Sequence, residues 1–175
     1  MHMTLRPNGM PNIVDIIIED DRWDDLDMEE LSAQAVRVAL QTAGTGTDGY
    51  EVCVMGCNDA RIAELNSEFR EKPAATNVLS WPAFELAPAT EGGQPIAPPK
   101  STGPEESLGD IAISFETCRR EAGEKGIAMS AHVTHLIVHG CLHLLGYDHE
   151  TDKDATVMEN LEIKALASMG LDNPY

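Results

Sequence analysis

Three histidines toward the C-terminal end of the chain combine the residue type and the spacing that metal chemistry needs. His139 and His143 stand four apart in a stretch that reads as helix, so both rings leave the same face. His-x-x-x-His is the paired ligand set of many zinc enzymes. His135 continues the stripe, but about 12 Å of helical rise separates it from His143, and metal–nitrogen bonds of about 2 Å cannot span that. The third ligand must come from chain that turns back. Gly146 breaks the helix three residues after His143, and His149 follows three residues later. Three neutral imidazoles leave a fourth position for water, the arrangement of a catalytic zinc site and not of a closed structural one. Lone histidines often pack in cores, but packing does not explain two at helical spacing, a glycine break and then a third. His132 and His135 read as solvent-facing or supporting residues, not ligands. Asp148 has two readings: it hydrogen-bonds a ligand imidazole and fixes its tautomer, or it caps the turn. The residue after His139 is Gly140, where a zinc protease of the HExxH class carries its glutamate base. That substitution argues against peptide hydrolysis.

These side chains need a scaffold. Ser130 to Leu145 is almost wholly apolar apart from its histidines and Thr134, so the helix is buried on all sides. Ile13–Glu19, Tyr50–Met55, Asn77–Trp81 and Leu108–Ser114 read as strands. Helices are expected over Asp24–Ala43, from an N-cap at Asn58 to Arg70, over Phe115–Lys125 and over Lys153–Met169, whose inner face would be Met158, Leu161, Ala165 and Met169. The order βαβαββααα describes an α+β domain, a small mixed four-stranded sheet packed against helices with the histidine helix at its centre. One domain over residues 1–175 is expected. Residues 86–106 hold five prolines and three glycines without apolar periodicity, and read as a mobile loop inside that domain.

The formal net charge is −18. A chain this acidic gains nothing from bulk electrostatics near a polyanion, so nucleic-acid binding would need a local basic patch or a partner that delivers the substrate. Four cysteines, Cys53, Cys57, Cys118 and Cys141, lack zinc-knuckle spacing and read as packed thiols. No apolar run approaches the roughly 20 residues of a membrane span, and no secretory signal is evident. A cytoplasmic protein without membrane contact is the expectation.

The run HGCLHLLGYDH, His139 to His149, resembles the H-G-x-L-H-L-x-G-Y-D-H signature of the bacterial YbeY family. Two further blocks agree. LNSEFR (Leu65–Arg70) followed by TNVLSWP (Thr76–Pro82) resembles the family's Asn-x-x-aromatic-Arg segment and its T-[ND]-V-L-S-F-P strand, with Trp81 in place of the usual Phe. LGDIAIS (Leu108–Ser114) resembles its L-G-D-I-x-I-S strand. The 86–106 loop looks longer than is usual there, and the helix start near Asp24 more acidic.

The resemblance implies a zincin-like fold and a zinc-dependent, single-strand-specific endoribonuclease with one Zn2+ per chain. It also implies a role in maturing the 3′ end of small-subunit ribosomal RNA and in ribosome quality control, with the small subunit or its proteins as partners. Arg70 then matches the family's functionally important arginine, which would clamp a phosphate or the charge of phosphoryl transfer. By itself Arg70 reads as a helix C-terminal arginine favoured by the dipole. Asp110 and Ser80 read as structural residues on the cleft floor. If RNA is the substrate, Arg61, Arg70, Lys72, Arg119, Arg120 and Lys125 should gather near the site, with the acidic helix start turned away. Two competing readings are a ribosome assembly factor whose zinc is mainly structural, and a hydrolase of another class.

Overall fold

The computed structural model describes residues 13–71, 74–100 and 105–175, without the side chain of Arg70. Its strands are β1 (Val14–Ile18), β2 (Tyr50–Cys57), β3 (Val78–Pro82) and β4 (Glu106–Ser114), and its α-helices are α1 (Met28–Thr42), α2 (Asp59–Arg70), α3 (Phe115–Lys125), α4 (Met129–Leu144) and α5 (Asp152–Ser168). One sheet runs in the order β1-β2-β4-β3. The pairs β1–β2 and β2–β4 are parallel, and β3 returns antiparallel along β4, with Val78 opposite Ile113 and Pro82 opposite Gly109. The expected mixed four-stranded sheet with five helices is present.

Strand alternation sorts the sheet into two faces. Val52, Val54, Ile111 and Ile113 join the main core with α1 and α4, while Leu79 and Ala112 pack with Ile62 and Leu65 of α2 on the other side. Helix α4 lies against α1, α3, α5, β3 and β4. It approaches the sheet closely at Gly140, where a Cβ would meet Ile111 side-chain atoms at 3.2–3.3 Å. The glycine at the position of the HExxH glutamate thus sits in a tight contact: a side chain there would press on the Ile111 side chain of β4.

The helix expected from Asp24 begins later. Asp21–Asp25 forms a separate 3-10 turn, and α1 starts at Met28, where the Asp27 carboxylate caps the N–H of Glu30. The cause is Trp23. Its indole is fully buried, donates to the Cys57 carbonyl at 2.9 Å and packs edge-on against Phe115, so the chain must dip into the core before α1 can begin. Cys57, Cys118 and Cys141 are buried free thiols and Cys53 is half-buried, as packed cysteines should be.

Within the 86–106 loop the described residues before Glu106, which opens β4, form no helix or strand, and residues 101–104 lie outside the described residues. It is tied to the rest of the fold at several points. Leu86 is buried, the Gly92 N–H donates to Asp154 of α5 at 2.8 Å, and the Tyr50 hydroxyl donates to the Pro99 carbonyl at 3.2 Å. The Leu86 backbone covers the turn after α4, where Gly146 has φ +102° and a Cβ would lie 2.5 Å from the Leu86 carbonyl oxygen. No single described helix is long and apolar enough to cross a membrane.

Gly146→Ala should therefore cost about 1–3 kcal/mol in backbone strain alone, with further loss from the clash on Leu86. Urea unfolding of the metal-free protein is the measurement. Because this turn delivers His149, the variant should also bind metal more weakly.

Candidate metal centre

Helix α4 sets His139 and His143 one turn apart, with their Nε2 atoms 3.0 Å from each other. The turn at Gly146 then brings back His149, whose ring centroid lies 5.4 Å from that of His139 and 5.1 Å from that of His143. One ligand atom from each of the three lies within 4.8 Å of the others, a group able to hold a metal ion. A tetrahedral ion with bonds of about 2.0–2.1 Å spaces its nitrogens roughly 3.4 Å apart, so small ring rotations complete the set.

Hydrogen-bond bookkeeping tests the fit more sharply. His143 Nδ1 lies 2.9 Å from the Tyr147 carbonyl, which can only accept, so Nδ1 carries the hydrogen. His139 Nδ1 lies 2.9 Å from Glu162 Oε1. Burial alone would raise the Glu162 pKa, but the bonds from His135, His139 and Tyr175 hold it at about 2, so this ionised oxygen also accepts. In the neutral rings both Nε2 atoms are then bare lone pairs facing each other across 3.0 Å. That arrangement needs a cation between them. A proton held there would not sit on His143, which burial, with repulsion from His139, pushes down to about 4, and with His149 beside the pair a metal ion is the cation that all three rings can share. The donor set fits a metal that favours imidazole nitrogen.

Glu162 was not among the residues expected from the sequence. It is fully buried on α5, and its carboxylate accepts from His135 Nε2 and His139 Nδ1, both at 2.9 Å, and from the Tyr175 hydroxyl at 2.7 Å. The signal was present. Glu162 stands four residues after Met158 and three before Ala165, so it is a charge within the buried stripe of α5. Leu161 and Met169, expected on that face, are only partly buried.

His132 and His135 are not solvent-facing. His132 is 2 % exposed, with Nε2 2.8 Å from Glu121 and Nδ1 buried without a hydrogen-bond partner. His135 supports the site through Glu162. Asp148 caps the turn by accepting the His149 N–H at 2.8 Å, while its carboxylate stays 3.9 Å from His143 Nδ1. The residue that orients His143 is Tyr147, through its backbone. Ser80 is buried on the α4 side of the sheet, in register with Ile111, whereas Asp110 is exposed on the opposite face and does not line the histidine side.

Arg70 ends α2, and its side chain lies outside the described residues, as does Lys72. The other basic residues do not form the expected patch. Arg61 pairs with Glu19 and Glu64, Arg120 with Glu124, Arg119 is exposed, and only Lys125 lines the groove beside the histidines.

A helix presenting two histidines and a turn returning a third, backed by a buried carboxylate, gives this α+β protein a donor set that could hold a metal ion. The family model described as Endoribonuclease YbeY matches residues 15–170, and the chain belongs to that family. The Endoribonuclease YbeY of Ruegeria sp. (strain TM1040) is 52% identical over 163 residues, covering 93% of this chain and 96% of that one. The protein of the same name from Dinoroseobacter shibae is 50% identical over 176 residues, covering 100% and 97%. The fold resembles the solution structure of a Thermotoga maritima protein, with a TM-score of 0.53 at 20% identity over 90% of this chain and 91% of that one.

The His143 shift has a measurable consequence. Its folded pKa of about 4 lies below the ordinary 6.5, so between those values the unfolded chain holds a proton that the folded chain does not. This contribution is fully present above pH 6.5 and is lost as the pH falls toward 4. The metal-free protein should lose unfolding free energy over that window, and His143→Gln should show a shallower loss in parallel urea titrations.

Proposed function

We propose that the protein is a zinc-dependent endoribonuclease that cuts single-stranded RNA, with one Zn2+ held by His139, His143 and His149. The observation that carries this reading is that the His139 and His143 Nε2 atoms face each other at 3.0 Å with His149 beside them. When bound, zinc supplies a Lewis acid for a phosphoryl oxygen and lowers the pKa of a bound water toward 7. The chain's own contributions are positional. Glu162 and the Tyr147 carbonyl hold the two Nδ1 hydrogens and thereby aim both Nε2 lone pairs. Gly140 keeps a carboxylate base out of the protease position, which favours phosphodiester over peptide hydrolysis. Arg70 is assigned to the charge that develops on the phosphate.

The family supports ribosomal RNA as the substrate, in maturation of the small-subunit 3′ end and in ribosome quality control, with the small subunit or its proteins as partners. A cytoplasmic location follows from that substrate. The His-x-x-x-His helix lying against a mixed sheet supports placing the fold among zincin-like architectures.

A second reading, an assembly factor with a mainly structural zinc, draws on the net charge of −18 and on basic side chains already paired with acids. Nuclease-free protein should cleave single-stranded RNA, lose that activity with a chelator and regain it with zinc. Binding without chelator-sensitive cleavage would select the assembly factor.

Elemental analysis should find about one zinc per chain, with clear loss in His149→Ala; full occupancy in that variant removes His149 from the ligand set. Arg70→Ala should keep its zinc and lose cleavage by about 100-fold or more. Unchanged cleavage would return Arg70 to a helix-end role.

A further inference from the structure

Beside the metal centre, a groove of about 300 Å³ runs along α4, lined among others by Asn77, Glu121, His132, His135, His139 and Tyr175. His139 connects it to the metal centre. The far end holds a polar group that the proposed chemistry does not use. Glu121 Oε1 accepts from His132 Nε2 at 2.8 Å and from Asn77 Nδ2 at 3.0 Å, whereas Oε2 has one long contact of 3.4 Å with Asn77. A carboxylate has about four acceptor sites, so Oε2 has capacity to spare, and the side chain is 27 % exposed. The Asn77 side-chain oxygen, Oδ1, is occupied by the Val78 N–H at 2.7 Å. The groove therefore offers a fixed acceptor, clamped from two sides by a buried histidine and an amide.

The groove also carries Glu124 against a single Lys125. Burial would raise the Glu121 pKa, but its bonds to His132 and Asn77 hold it below the usual carboxylate range, so it is charged. Two acids and one base do not make a phosphate path. What a ribonucleotide can present to such a slot is the donor edge of its base. Tyr175 is 60 % exposed, and its ring packs T-shaped against that of His135 at 5.8 Å, so an aromatic side chain borders the groove where a base could stack. His132 and His139 are seven residues apart, about 10 Å along the helix, comparable to the reach of a nucleotide from its phosphate to the far edge of a purine.

We propose that this groove binds the base of an unpaired guanine nucleotide, its Watson–Crick edge on Glu121 and its phosphate toward His139. Guanine alone among the four bases has two adjacent donors on that edge, N1–H and the 2-amino group. Adenine and cytosine place a ring-nitrogen lone pair beside their amino group, and uracil flanks its one N–H with carbonyls. Each sets an acceptor against the carboxylate. Pairing in a duplex consumes the guanine edge, so this contact selects single strands. The proposal rests on the ribonuclease reading for its substrate class, but binding of a mononucleotide can be measured without cleavage.

The test is calorimetric titration of zinc-loaded protein with guanosine, inosine and adenosine 5′-monophosphates, in the wild type and in Glu121→Gln. The wild type should bind the guanosine nucleotide about 10- to 100-fold more tightly than the adenosine one, with inosine, which lacks the 2-amino group, in between. Glu121→Gln should retain its zinc and lose the preference, because an amide nitrogen would then face the two donors. Equal binding of all three nucleotides by the wild type overturns the proposal, and this arm needs no variant to fold. A preference that survives in a folded Glu121→Gln also overturns it. Guanine preference without any RNA cleavage would sink the nuclease reading and leave the groove assignment standing; cleavage without guanine preference would do the reverse.

Discussion

A single buried carboxylate organises the centre of this protein. Glu162 is fully excluded from solvent, and a lone ion there would be untenable. It survives because three donors from separate parts of the chain converge on it: His135 and His139 from α4, and Tyr175 from beyond α5. Removing one partner of such a buried charge typically costs about 3–5 kcal/mol. The carboxylate therefore docks α5 on α4 and selects the His139 tautomer at the same time. Stability and ligand orientation share one interaction here, and neither can be changed without the other.

The same economy operates at Gly140. A metal-binding helix must be rigid, and α4 gains rigidity by burial on nearly every side, including a close approach to Ile111 of β4. Gly140, at the point of that approach, leaves no side chain to supply a carboxylate base next to His139. The turn that follows extends the argument: Gly146 has a backbone conformation that disfavours side chains, and Leu86 lies directly over it, so the return of His149 depends on packing from a distant loop.

Much of this was legible in the sequence because it depended on local rules. Helical spacing placed His139 and His143 on one face, a glycine marked the turn, and a β-branched run marked the first of the four strands. Where non-local contacts decided the outcome, the sequence was silent or misleading. Acidic residues near Asp24 look like a helix N-terminus, yet burial of Trp23 delays α1 to Met28. Asp148 and Tyr147 are neighbours, and only the turn's geometry makes a carbonyl, not the carboxylate, the partner of His143. His132 and His135 are polar residues on a helix face, and their burial follows from Glu121 and Glu162 arriving from α3 and α5. Glu162 itself was visible only as a charge out of place among Met158 and Ala165, and that anomaly has no meaning until the opposing helix is known.

The charge distribution completes the physical picture. With a formal charge of −18 and several arginines already neutralised by local acids, long-range attraction cannot bring an RNA strand to this surface. At physiological ionic strength the screening length is about 8 Å, so repulsion from the acidic segment at Asp20–Glu30 fades beyond roughly that distance. On the proposed reading, what remains are short-range contacts: a cation held by three imidazoles for the phosphate, and a carboxylate with spare acceptor capacity for a base. Affinity is then concentrated in those few contacts. A substrate held that way must expose its base edges, and folded or paired RNA, which offers mainly phosphates, meets a surface that repels it.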